Sequence, residues 1–119
     1  MLRLISAATL LFLLALAACD PADGPSMIRI HNVSTYEYQE LEVGDELYGT
    51  LGPDAYTEYR EYPIAYRYNY VRLTITGDEF VLQPIDYVGE TPLGPGNFTY
   101  EIDVADYDSR SLEIQAVAD

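Results

Sequence analysis

Residues 93–104 read LGPGNFTYEIDV, and this stretch decides the fold. Pro95 presets the first central position of a turn, and Gly96 supplies the positive φ of a type II turn. Behind them Phe98, Tyr100, Ile102 and Val104 alternate with Thr99, Glu101 and Asp103, the period of a half-buried strand. A near-copy of the opening heptad lies upstream at residues 51–57, LGPDAYT. There Asp54 replaces the glycine, which predicts a type I turn, and Tyr56, Glu58 and Arg60 share a face that is no longer apolar. A helix from Pro53 to Tyr62 competes, because Tyr56, Tyr59 and Tyr62 recur at every third position and proline suits a first helical position. Tyrosine and threonine favour strands over helices, so an irregular edge strand is the expectation. Beyond the heptads, EYREYPIAY and YEIDVADYD do not align. The repeated words are therefore repeated turn chemistry, not a duplicated half-domain.

The same period of two recurs along the chain. MIRIHNV sets Ile28 and Ile30 on one face, LEV pairs Leu41 with Val43, and YVRLTI aligns Val71, Leu73 and Ile75. Thr76-Gly77-Asp78-Glu79 signals a turn before FVLQPID, and Asp106-Tyr107-Asp108-Ser109 separates the Phe98 strand from SLEIQAV. Seven to eight short strands at turn-punctuated intervals predict an all-β chain, a single antiparallel β-sandwich over residues 27–119. LGPGNFTYEIDV is also similar to the proline-glycine turn and closing strand of immunoglobulin-like and transthyretin-like modules, a likeness confined to a dozen residues.

The chain opens MLRLISAATLLFLLALAACD, with one basic residue, Arg3, and then an apolar run from Leu4 to Ala18. That run is shorter than the roughly 20 residues a membrane span needs and fits a signal-peptide core. Leu16-Ala17-Ala18-Cys19 resembles the lipobox of bacterial lipoproteins. The resemblance implies cleavage after a signal peptide of residues 1–18 and lipidation of Cys19, the chain's one cysteine. With Cys19 consumed, no disulfide forms within the mature chain. Residues 19–26 then form a lipidated cysteine and a short acidic tether, whose seven residues DPADGPS reach at most about 25 Å. Asp20 directly after the cysteine resembles an inner-membrane retention signal of some Gram-negative bacteria, and leaves inner versus outer membrane undecided. A lipobox followed by a short acidic β-domain resembles small uncharacterised lipoproteins of Gram-negative bacteria, which implies a lipid-anchored address in the cell envelope, on the exported side, and no activity.

The formal net charge is −14, from 6 basic and 20 acidic residues, and every basic residue is arginine. Loss of Arg3 makes the mature chain one unit more negative. Nucleic acid is excluded as a partner, since its backbone demands basic residues. Anionic lipid repels such a domain, so it stands off the surface to which its lipid ties it. Solubility alone accounts for acidic surfaces of this kind; a basic envelope protein is the functional alternative.

Catalytic constellations are sparse. His31 is the one histidine and falls in the first strand, where a half-exposed strand residue is expected. Neither Ser34 nor Ser109 sits in a nucleophile elbow. Zinc seldom accepts the carboxylate-dominated set available here. A glycosidase needs two carboxyls across a cleft that a thin sandwich hardly provides. DVADYDSRS gathers Asp103, Asp106 and Asp108, yet an EF-hand counted from Asp106 meets Ser111 where glycine belongs and Val117 where the bidentate glutamate belongs. No metal or cofactor is expected.

AYTEYREYPIAYRYNY, residues 55–70, is the remaining unusual stretch. If the strand is regular from Ile64 to Thr76, the core face carries Val71, Leu73 and Ile75. Its opposite face then carries Tyr66, Tyr68 and Tyr70, with Arg72 next along. Tyrosine offers rigid apolar area with a polar tip, as recognition surfaces require. A bulge near Asn69 turns the same row inward. The chain thus reads as a non-catalytic, membrane-anchored binding or envelope-assembly module. Its alternatives are a glycan or peptide binder using the tyrosine row, or an inhibitor-like module docking its acidic face on a basic envelope protein.

Overall fold

Ile28 and Ile30 are fully buried while Met27 and Arg29 stay half-exposed, so β1 (Ser26–Asn32) has one inward face. The computed structural model describes residues 24–85 and 90–119; the expected signal peptide, Cys19 and most of the expected tether lie outside the described residues. After β1 come β2 (Tyr38–Val43), β3 (Glu46–Leu51), β4 (Arg60–Tyr62), β5 (Val71–Ile75), β6 (Asp78–Leu82), β7 (Gly96–Asp106) and β8 (Ser111–Ala118). They form two four-stranded sheets, ordered β4-β1-β7-β8 and β3-β2-β5-β6, packed face to face as a β-sandwich.

The period-two readings hold in β1, β5 and β7. Val71, Leu73 and Ile75 are inward, as are Tyr100 and Ile102, and Phe98 and Val104 pack against that core. One pairing departs from the antiparallel expectation: β1 runs parallel to β7, with Arg29 opposite Thr99 and His31 opposite Glu101. Parallel neighbours need a long crossover, here the whole second sheet, so no local turn in the sequence announces this pair.

β2 breaks its own alternation. Tyr38, Leu41 and Val43 are all fully buried, a spacing that a flat strand forbids. Glu40 resolves it with φ of +51°, and β2 advances from Gln39 to Glu42 while β5 moves only from Thr74 to Arg72. This is a β-bulge, whose extra residue turns Tyr38 back into the core.

The turns follow their residues with two corrections. Gly96, expected to close a type II turn behind Pro95, has φ of +138° and already pairs with Ser26 as the first residue of β7, so it is strand and not turn. Thr76 and Gly77, at φ of +46° and +87°, close the β5–β6 hairpin as the type I′ pair that strand twist favours. At the upstream heptad the Ala55 N–H donates to Gly52 O at 3.2 Å, yet Asp54 sits at φ of +59°. Positive φ at that position marks type II, not the type I expected. Aspartate tolerates this region better than most residues. It is further held by its N–H to Asn32 O at 2.8 Å and its carboxylate to His31. No helix forms over Pro53–Tyr62. Residues 55–57 instead follow β1 irregularly: Asn32 N–H donates to Ala55 O, Thr57 N–H to Ile30 O, and the Ile30 N–H finds the Thr57 hydroxyl at 2.9 Å. With β4 this forms the irregular edge that the heptad predicts.

Three tyrosines make hydrogen bonds through the core, two of them from sheet to sheet and the third to the segment that leads into β5. Tyr38 donates its hydroxyl to Ile102 O at 2.8 Å, Tyr62 to Val43 O at 3.2 Å, and Tyr100 to Tyr66 O at 2.6 Å. Burial pushes the Tyr38 phenol up to about 12 and raises Tyr62 as well, so both remain neutral donors at ordinary pH.

Candidate functional site

Polar and aromatic side chains concentrate on the outer face of the first sheet. Cross-strand register places Arg29 beside Thr99, and His31 beside Glu101, which faces Gln115; Asp103 faces Glu113. At one end Asp119 accepts the Thr99 hydroxyl at 2.8 Å and the Tyr59 hydroxyl at 2.5 Å, while Arg29 Nε donates to Thr99 Oγ1 at 3.0 Å. The Tyr59 hydrogen bond holds the Asp119 carboxyl below its usual range and raises the Tyr59 phenol in return. The Arg29 guanidinium lies 4.4 Å from the Tyr56 ring centroid, and that ring stacks on His31 at 3.9 Å and 11°.

His31 corrects the expectation of a half-exposed strand residue: it is 8% exposed, because Tyr56 folds over it. A carboxylate only accepts, so Nε2–H donates to Asp54 Oδ1 at 2.8 Å. Nδ1 is enclosed without a hydrogen-bond partner among the described residues, with Glu101 Oε2 3.9 Å away. Among the described residues no serine is seen to complete a relay with His31. The Ser34 hydroxyl donates to Asn32 Oδ1 at 2.7 Å, and Ser109 donates to Asp106 at 2.9 Å within the β7–β8 turn.

Farther along the same face, Glu101, Asp103 and Glu113 line a groove of about 330 Å³ together with Val33, Ile114 and Gln115. Three carboxylates line it, and among the described residues no arginine forms an ion pair with any of them. On the other side of β8 lies a second groove of about 340 Å³, lined by Tyr68, Leu82, Pro84, Ile85, Leu112 and Ile114. Its lining is almost wholly apolar. Ile114 borders both.

The tyrosine row does not assemble as a strand face. Regular β5 begins only at Val71, so Tyr66, Tyr68 and Tyr70 precede it in irregular chain, each half-buried. Tyr66 gives its carbonyl to Tyr100, Tyr70 gives its carbonyl to the Gly44 N–H at 2.9 Å, and Tyr68 lines the apolar groove. Arg72 lies apart on the second sheet and makes its hydrogen bonds at 3.0 and 2.7 Å to Glu79 Oε2. Asp106 and Asp108 are engaged in the β7–β8 turn, where Asp106 accepts the Asp108 N–H at 3.3 Å. Among the described residues no group of three acidic, histidine or cysteine side chains is placed to hold a metal ion.

Sequence reasoning missed Asp54 as the partner of His31, and Glu113 as the cross-strand neighbour of Asp103. The one available signal was the alternation of β7, which already set Thr99, Glu101 and Asp103 on its outer side.

No family model matches the chain, and no curated protein matches it. A solved structure described as the NMR structure of the protein from Eubacterium rectale superposes with a TM-score of 0.51. The match covers 85% of this chain and 94% of that one, at 16% identity. The likeness is one of fold. It carries the sandwich and nothing about chemistry.

Proposed function

We propose that this chain is a lipid-anchored, non-catalytic module of the bacterial cell envelope that binds a cationic partner on the outer face of its first sheet. The observation that carries the reading is the groove lined by Glu101, Asp103 and Glu113. Carboxylates set side by side on a sheet repel one another, and a bound arginine or lysine relieves that repulsion. The surrounding field has the same sign, at a formal −14 for the whole chain, and speeds the approach of a basic partner. The likeness of Leu16-Ala17-Ala18-Cys19 to a lipobox supports the envelope address, and multiple acyl chains at Cys19 would hold a protein where one does not. The tyrosine row is the weaker alternative, because its three rings are not presented together.

An arginine-rich peptide titrated into the full chain tests the function. Binding is expected to weaken steeply between low salt and about 0.15 M, where the screening length falls to roughly 8 Å. Neutralising the groove by Glu101→Gln, Asp103→Asn and Glu113→Gln is expected to weaken it about tenfold with the melting temperature little changed. Equal binding by wild type and variant overturns the assignment. For the anchor, Cys19→Ser is expected to remove both processing and acyl mass from the membrane-extracted protein, read by mass spectrometry. A wild-type mature N-terminus without acyl mass refutes lipidation.

A further inference from the structure

β8 is the longest edge strand of the sandwich, at eight residues against six for β3, five for β6 and three for β4. Proteins blunt such edges with lysine, proline, bulges or short length. SLEIQAVA has neither lysine nor proline, and its one charge is Glu113. The flank on the far side of the sandwich is closed by side chains. There Arg60 donates to Leu47 O at 2.7 Å, and the Tyr48 and Tyr62 hydroxyls meet at 2.7 Å.

Backbone direction along β8 follows from one bond. The Asp119 N–H donates to Asn97 O at 3.0 Å, and antiparallel pairing alternates from there. Val117, Gln115 and Glu113 therefore turn their backbone groups toward β7, while Ala116, Ile114 and Leu112 turn theirs away from it, on the flank where β6 comes close to β8 without pairing with it. Among the described residues no strand pairs with that edge.

The two grooves flank this edge and meet at Ile114, one acidic and one apolar. Successive side chains of a strand point to opposite faces. A segment laid along β8 therefore sends one set of side chains toward Glu101, Asp103 and Glu113. The other set goes toward Tyr68, Leu82, Pro84 and Ile85. Building on the cation-binding reading of the outer face, we propose that β8 accepts an extended segment of a basic partner protein as a fifth strand of the first sheet. Its arginine or lysine residues alternate with apolar ones. Backbone bonds to Leu112, Ile114 and Ala116 hold the segment, and the two grooves select its pattern. Charge argues against a second copy of this chain in that place. Pairing two β8 strands brings two acidic grooves together in chains of formal charge −14 each.

The probe is a peptide of about ten residues, a usual strand length, alternating leucine and arginine; its control alternates leucine and glutamate. With the full chain, the arginine peptide is expected to bind and to slow amide exchange at Leu112, Ile114 and Ala116 by about tenfold or more. Ala116→Pro removes an outward N–H without costing a bond to β7, a placement that edge strands tolerate. It is expected to weaken binding about tenfold while circular dichroism and melting stay native. If the arginine peptide binds in a salt-dependent way but protects none of the three amides, and Ala116→Pro binds as wild type, strand addition is overturned while cation docking stands. If neither peptide binds, both fall. If the amides are protected without peptide as chain concentration rises, a second copy is the occupant and the basic-partner proposal is refuted.

Discussion

Tyr100→Ala is expected to destabilise the domain by about 3–5 kcal/mol, the range for truncating a buried aromatic. Tyr100 is fully exposed to neighbours and not to water: its ring meets Tyr62 edge-on at 6.3 Å, and its hydroxyl reaches across to Tyr66 O. Removing it opens a cavity between the sheets and releases the segment that leads into β5. Small domains hold about 5–15 kcal/mol in total, so this one change consumes a large share. The melting midpoint should fall by at least about 12 °C. Tyr100→Phe separates packing from hydrogen bonding. It keeps the ring and leaves the Tyr66 carbonyl without this donor, a cost of about 1–3 kcal/mol. Chemical denaturation of both variants reads the difference. A Tyr100→Ala protein with a wild-type midpoint refutes the role of Tyr100 as a core tie between β7 and the segment that leads into β5.

The tyrosines also show where sequence reading reached and where it stopped. Tyr100 was legible as a core residue, because Phe98, Tyr100, Ile102 and Val104 keep strict alternation through β7. Tyr38 was not, because its burial depends on the extra residue at Glu40, and a bulge leaves no mark in the pattern of apolar residues. Tyr66, Tyr68 and Tyr70 alternate in sequence as cleanly as Val71, Leu73 and Ile75 do. Alternation is necessary for a strand but not sufficient, and pairing partners extend only over Val71–Ile75. The acidic groove was half legible. β7 displayed Glu101 and Asp103, but Glu113 joins them only through the β7–β8 register, and His31 comes beside Glu101 only through the parallel β1–β7 pair. Those are long-range facts, set by packing of the whole sandwich.

Asn32→Asp is expected to cost the most at neutral pH, and its cost is expected to vanish in part on acidification. The Asn32 side chain is fully buried and satisfied on both sides. Nδ2 donates to Tyr36 O at 2.7 Å and to Leu51 O at 3.0 Å, while Oδ1 accepts the Ser34 N–H at 2.9 Å and the Ser34 hydroxyl at 2.7 Å. Through these bonds one amide joins the end of β1 to the following turn and to the end of β3. An aspartate of the same shape presents a carboxylate oxygen to two carbonyl oxygens. Its charged form is then both desolvated and repelled, which raises its folded-state pKa above the unfolded value near 3.9 by roughly 3–5 units. The sign follows from linkage. Below about pH 3.9 both states carry the proton, and only the missing donor counts, at about 1–3 kcal/mol. As pH rises from there toward the raised folded pKa, the unfolded state ionises and the folded state does not. Each pH unit then removes a further ~1.36 kcal/mol of stability relative to wild type. At pH 7 the total is about 5–7 kcal/mol, enough to unfold a domain at the lower end of ordinary stability. Denaturation of variant and wild type side by side from about pH 4 to pH 7 cancels the titration of the other carboxylates, which both proteins share. A stability difference that stays constant across that range would show that residue 32 reaches water, and the Asn32 junction would then not be the buried pin of the β1 end.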